Sequence, residues 1–166
     1  MTEKDVTYLF GIFFFILLTG CAAGISRQSQ SLVTYTGTFS TLQKTPDAYK
    51  GQVVMLGGRI IATKTSSSLS EITVLQLALD SNGLPMNPDQ SGGRFIVRTK
   101  KLLDPAIYQK DMYLTIVGTL KGSKVGPIGG FRYAYPIVEG IEIKLWPKGM
   151  RTSPAIHLSI GVGGSF

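Results

Sequence analysis

An apolar run from Tyr8 to Leu18 stops at Leu18-Thr19-Gly20-Cys21, and this junction constrains the chain more than any other feature. The run is too short to cross a bilayer as a helix, which takes about 20 residues. Its length fits the apolar region of a signal peptide. An apolar residue, two small residues and then Cys have the order of a lipobox. Small side chains let the extended chain enter a peptidase. The thiol takes up a diacylglycerol before cleavage, and the freed amine is acylated afterwards. One acyl chain binds a membrane marginally, whereas several hold it stably. Residues 1–20 therefore read as a cleaved signal helix, with Leu18, Thr19 and Gly20 as the box and Cys21 as the lipidated residue. A signal anchor with Cys21 a bystander is the alternative, and Lys4 faces Glu3 and Asp5 in a weakly basic leader.

The remainder is one domain's worth of chain, 166 residues in all. A single Cys excludes a disulfide framework, and with a single His, His157, it removes the usual metal motifs. No metal and no cofactor is expected. Removing residues 1–20 takes Lys4 from the 17 basic residues and Glu3 and Asp5 from the 10 acidic ones, which raises the formal charge from +7 to +8. A basic exported chain meets phospholipid headgroups sooner than nucleic acid. No nucleic-acid partner is expected.

Residues 21–46 are rich in Ser, Thr, Gln and Gly and read as a lipidated flexible tether, with a short strand near Leu32 to Tyr35. Residues 47–147 read as a β domain. Val53 to Ala62 is a strand interrupted by Gly57-Gly58, where a bulge or bend is expected. Residues 70–79 form a second, with Leu75, Leu77 and Leu79 expected on one face. Residues 94–99 are a third, and Asp104-Pro105 has the cap and first-turn pattern of a helix start. Residues 112–120 are a fourth. Residues 134–145 are a fifth, with Ile137, Ile141, Ile143 and Leu145 on one face and Trp146 at its end. The glycines between residues 122 and 130 predict a connecting loop; they lack the order of a phosphate loop and no helix follows. The fold expected is mainly β: a small, five- to six-stranded antiparallel, OB-like, partly open barrel. A β-sandwich is the alternative.

Residues 148–166 form a C-terminal tail. Within it Ile156, Leu158, Ile160, Val162 and Phe166 share one parity, against His157, Ser159, Gly161, Gly163 and Ser165. That alternation and length suit a membrane β-strand. One such strand cannot span alone, so insertion implies a homo-oligomer. An edge strand on its own domain, or a mobile tail, is the other reading.

In order along the chain stand Cys21 with its box, Tyr49-Lys50-Gly51, Gly57-Gly58, Gly93-Arg94-Phe95, and Asp104-Pro105 with Tyr108. Val117-Gly118 with Gly122, Gly126 with Ile128-Gly129, Tyr133-Ala134-Tyr135-Pro136 and Leu145-Trp146 follow. In this set the chain resembles the Slp family of starvation-inducible outer-membrane lipoproteins over residues 49–146. Leu56 departs from the pattern, which often has Trp before the glycine pair. The resemblance implies outer-membrane location, anchoring through acylated Cys21, a structural or stress-related envelope role, and no enzymatic reaction. Ala22 after the Cys resembles the outer-membrane sorting of enterobacterial lipoproteins, which points to a domain facing the periplasm.

No constellation of acid, base and nucleophile stands out. Glu139 and Glu142 fall on opposite faces of one expected strand, so they make no carboxylate pair. Arg94 and Arg98 with Tyr133 and Tyr135 make a candidate ligand surface, where charge and stacking suit an envelope glycan or a protein partner. A solvated strand edge with tyrosines at the rim of the core is the plainer reading.

Overall fold

In a computed structural model of the chain, residues 24–87 and 89–147 are described. Five strands carry the fold: β1 Val53–Thr65, β2 Ser70–Leu77, β3 Ser91–Thr99, β4 Tyr113–Ile128 and β5 Phe131–Trp146. They close into one ring in the order β1-β2-β3-β5-β4, with β4 returning to β1. This is the OB-like architecture expected. The ring is closed rather than partly open, and the sheet is mixed: β3 and β5 run parallel, from Ile96 beside Ile137 to Arg98 beside Glu139. The other four pairings are antiparallel. The parallel seam is a non-local pairing, which alternation within single strands cannot reveal.

Alternation fills the interior. Val54, Leu56 and Ile60 of β1 point inward, as do Ile72 and Val74 of β2, Phe95 and Val97 of β3, and Leu114, Ile116 and Leu120 of β4. The core face of β2 is thus Ile72 and Val74, and the register shift between Gln76 and Leu77 brings Leu77 into burial while Leu75 stays half-buried. Similarly a register shift opposite Val117 and Gly118 turns Ile141 outward, while Ile143 and Leu145 pack on the core.

The glycine pair of β1 marks close approach rather than a bulge. A Cβ on Gly58 would lie 1.9 Å from the Leu75 carbonyl oxygen, and one on Gly57 would meet the Leu79 side chain and the Leu114 carbonyl. The register shift of β1 comes after the pair, between Ile60 and Ala62.

Two stretches differ from expectation. Residues 24–46, expected as a flexible tether, pack on the barrel. A short helix, Arg27–Ser31, starts at Ser26, whose side chain caps the Ser29 amide. A second, Phe39–Lys44, starts at Thr38, whose side chain caps the Thr41 amide. Phe39 and Leu42 join the core, with Phe39 tilted against Phe95. Near Leu32 to Tyr35 no strand forms; the Thr34 and Tyr35 amides instead donate to the Val53 carbonyl. The 122–130 stretch, expected as a loop, is strand almost throughout. β4 runs to Ile128, β5 begins at Phe131, and Gly129-Gly130 is the turn. Asp104 does cap a turn, its carboxylate accepting from the Ala106 amide at 2.8 Å, but the turn does not extend into a helix.

Candidate functional surface

Beyond Leu120 the β4–β5 hairpin leaves the ring as an arm. Gly122, at φ +91°, makes the bend, and Asp47 lies where its Cβ would be. The arm folds across the outward side of β2 and β3. Lys124 reaches Glu71 of β2 at 3.5 Å, and Tyr133 reaches Arg94 of β3. Between arm and sheet lies a groove of about 190 Å³, lined by Lys64, Glu71, Thr73, Ile96, Lys124 and Tyr135 among others.

Of the four residues of the candidate ligand surface, Tyr135 lines the groove, Tyr133 packs on it and holds the Arg94 main chain, and Arg98 joins through Glu71. Arg98 donates through Nε to Glu71 at 2.6 Å. The Tyr133 hydroxyl accepts from the Arg94 amide at 2.8 Å and donates to the Arg94 carbonyl at 3.2 Å. Tyr135 is buried, donates to the Pro127 carbonyl, and meets Tyr133 edge to face at 4.8 Å between centroids. Burial raises the Glu71 carboxyl, but the Arg98 hydrogen bond and charge, helped by Lys124, outweigh it and hold Glu71 below its ordinary range. Glu71, Lys64 and Lys124 carry no signal in the sequence beyond their outward places; Lys64 and Glu71 face each other across the β1–β2 ladder, and the folded arm adds Lys124.

The opposite outer side, over β1, β4 and β5, is covered by the chain's N-terminal stretch and the connection between β2 and β3. Ser26 is fastened to Glu142 of β5: its amide donates to Oε1 at 3.0 Å and its hydroxyl to Oε2 at 2.6 Å. Burial raises this carboxyl too, and the hydrogen bonds from Ser26 and Ser29, with Lys144 nearby, bring it below its ordinary range. The buried Thr115 hydroxyl accepts from the Trp146 indole N–H at 2.9 Å and donates to the Gly83 carbonyl, tying the β2–β3 connection down.

Apart from Leu32 after the first short helix, exposed apolar side chains stand at two places. At the arm's tip Phe131 is 82% exposed and Val125 55%. On the side of the β3–β4 connection, Leu102 is 78% exposed, Ile107 57% and Ile141 44%. Among the described residues, no group of three or more His, Cys, Asp or Glu stands where it could hold a metal ion. The box Leu18, Thr19, Gly20 and Cys21, and the tail positions Ile156, His157, Leu158, Ile160, Val162 and Phe166, lie outside the described residues.

Residues 18–160 match the profile of the outer membrane lipoprotein Slp family. An uncharacterized protein of Haemophilus influenzae is 32% identical over 133 residues, which is 78% of this chain and 70% of that protein. The uncharacterized lipoprotein YeaY of Escherichia coli is 25% identical over 133 residues, covering 80% of this chain and 68% of that one. Outer membrane protein Slp of Escherichia coli is 28% identical over 109 residues, 66% of this chain and 57% of that protein. Among solved structures, a small single-stranded DNA-binding protein from Streptomyces coelicolor overlays with a TM-score of 0.38 at 10% identity, over 57% of this chain and 94% of that one. Pot1pC of Schizosaccharomyces pombe bound to single-stranded DNA overlays with a TM-score of 0.35 at 13% identity, over 61% of this chain and 83% of that one.

Proposed function

The chain belongs to the outer membrane lipoprotein Slp family, and from that premise we propose that it is a non-catalytic envelope component held to the outer membrane by acyl chains on Cys21. The domain faces the periplasm and serves a structural, stress-related role. The observation that carries this reading is the order Leu18-Thr19-Gly20-Cys21 standing five residues before Ser26, where the chain is already fastened to the barrel. An anchor so placed acts directly on a folded domain.

Replacing Cys21 with Ser tests it. The parent chain should take up labelled palmitate and float with outer membranes at its processed size. Cys21→Ser should remain as unlabelled precursor. A Cys21→Ser variant that is processed to the same size and still floats overturns the anchoring.

A second reading is favoured by one feature, the groove under the arm. With Lys64, Lys124 and Tyr135 on its walls it suits a small anionic or sugar group of an envelope glycan. Its volume falls below the roughly 300 Å³ of most small-molecule sites, so only part of a polymer would enter. Retention on peptidoglycan fragments that is lost in Lys124→Ala supports this reading, and equal retention counts against it. The oligomeric alternative, with tails from Ala155 to Phe166 joined in the membrane, is tested by particle mass in mild detergent. A discrete multiple of the chain supports it.

A further inference from the structure

Exposed apolar side chains flank a cleft beside the β3–β4 connection. Lys101, Leu103, Tyr108 and Ile141 line a single cleft of about 80 Å³. Leu102 stands between Lys101 and Leu103 in the chain, and Ile107 directly precedes Tyr108. With those neighbours turned into the cleft, Leu102 and Ile107 turn to solvent around it, at 78% and 57% exposure. Lys100, Lys101 and Lys110 are exposed around them. Of the acids nearby, Asp104 accepts from the Ala106 amide and keeps its charge, Asp111 pairs with Arg59 at 2.6 Å, and Glu139 pairs with Lys121 at 2.8 Å with Lys100 also near it. The result is an apolar centre with a rim on which basic groups outnumber acidic ones, which complements an anionic lipid surface.

The chain outside the described residues leads to the same side. Ile141 is covalently joined to Glu142, and Glu142 holds Ser26 by both its amide and its hydroxyl. Cys21 is five residues upstream, and five extended residues span at most about 18 Å. We propose that the surface of Leu102, Ile107 and Ile141, rimmed by Lys100, Lys101 and Lys110, rests on the anionic phospholipid face in which the acyl chains of Cys21 are embedded. This rests on the anchored reading above. The barrel then stands on its lipid in one orientation, because a covalent anchor and an apolar contact together fix what either alone leaves free.

The arm tip is the rival surface, with Phe131 and Val125 exposed and Lys121, Lys124 and Arg132 in a stretch without acids. Nothing ties it to the anchored end of the chain. The full-length acylated protein is reconstituted in vesicles of phosphatidylethanolamine and phosphatidylglycerol, with and without bromine on the acyl chains. Variants Ile107→Trp, Leu102→Trp and Phe131→Trp are compared. The native Trp146 is buried and gives a constant background. Brominated chains should quench the new emission of Ile107→Trp and Leu102→Trp about twofold and leave Phe131→Trp unchanged. Adding Lys100→Glu with Lys101→Glu should abolish the quenching. If the protein floats with the vesicles and neither Ile107→Trp nor Leu102→Trp is quenched, the proposal fails. Quenching of Phe131→Trp alone transfers the contact to the arm and equally overturns it. Failure to float is read separately and defeats the anchored reading, and this contact with it.

Discussion

The Tyr133 hydroxyl holds both main-chain groups of Arg94, accepting the amide and donating to the carbonyl. A side chain of the arm thus continues the seam between β3 and β5 beyond Ile96 and Ile137, where the backbone pairing ends. It also fixes the arm against the sheet at the point where φ of Gly93 is +136° and a Cβ would collide with that same hydroxyl.

Tyr133→Phe should therefore loosen the arm more than the barrel. Both bonds go at once, for a cost of about 1–2 kcal/mol. The Arg94 amide should exchange hydrogen faster by at least tenfold, while the Val54 and Ile72 amides in the core strands keep their protection. Unchanged exchange at Arg94 would show that the hydroxyl contributes nothing to the seam.

Glu71 links the arm to the sheet through charge. Its folded carboxyl lies below the ordinary value, so the stability it contributes is fully present above about pH 4.3 and is lost as pH falls through the folded value. Glu71→Gln should cost about 1 kcal/mol at pH 7, the scale of a pair that is still partly solvated. The two proteins should converge in urea midpoint as the pH is lowered through the acid range. A gap of the same size at pH 3 and pH 7 would refute an electrostatic origin. Glu139 and Glu142 also lie below their ordinary range, and what they contribute is lost from both proteins alike as the pH falls.

Gly58 has no room for a methyl group. Gly58→Ala sets a Cβ against the Leu75 carbonyl oxygen, and neither strand can move without breaking the β1–β2 ladder. A loss of roughly 2–3 kcal/mol is expected, seen as a fall in the thermal midpoint of about 5–10 °C. Gly130→Ala, where a Cβ meets nothing within 4 Å, should stay within about 0.5 kcal/mol of the parent. Equal midpoints for the two variants would mean that the strands part at Gly58 without penalty.

Much of this barrel is legible in the sequence because alternation is local. Val54 with Leu56, Phe95 with Val97, and Leu114 with Ile116 announce their strands and their inward faces. What stays hidden is set by distance or by exceptions to period two. The register shifts at Leu77 and Ile141 move apolar residues off the face that counting assigns. The arm reads as loop because Gly and Pro are poor strand formers; the ladder between residues 123 and 136 overrides that propensity. The stretch after Gly24 reads as a tether because helices of five and six residues are too short to show a period, although Ser26 and Thr38 are cap residues in plain view. Arg94, Arg98, Tyr133 and Tyr135 are neighbours, as a barrel would make them. That the Tyr133 hydroxyl takes both main-chain groups of Arg94 is a matter of the arm's fold-back, which no spacing encodes.

The ring's last seam has a bearing on how such a chain is made and exported. β5 is the final described strand, and it alone joins β4 to β3. Until residues 131–146 have been delivered, the first four strands can form hairpins but no enclosed interior. Non-local closure of this kind is also slow. A polypeptide threaded N-terminus first through a narrow channel therefore stays pliable for most of its passage, and it acquires its barrel only when almost all of it has reached the far side.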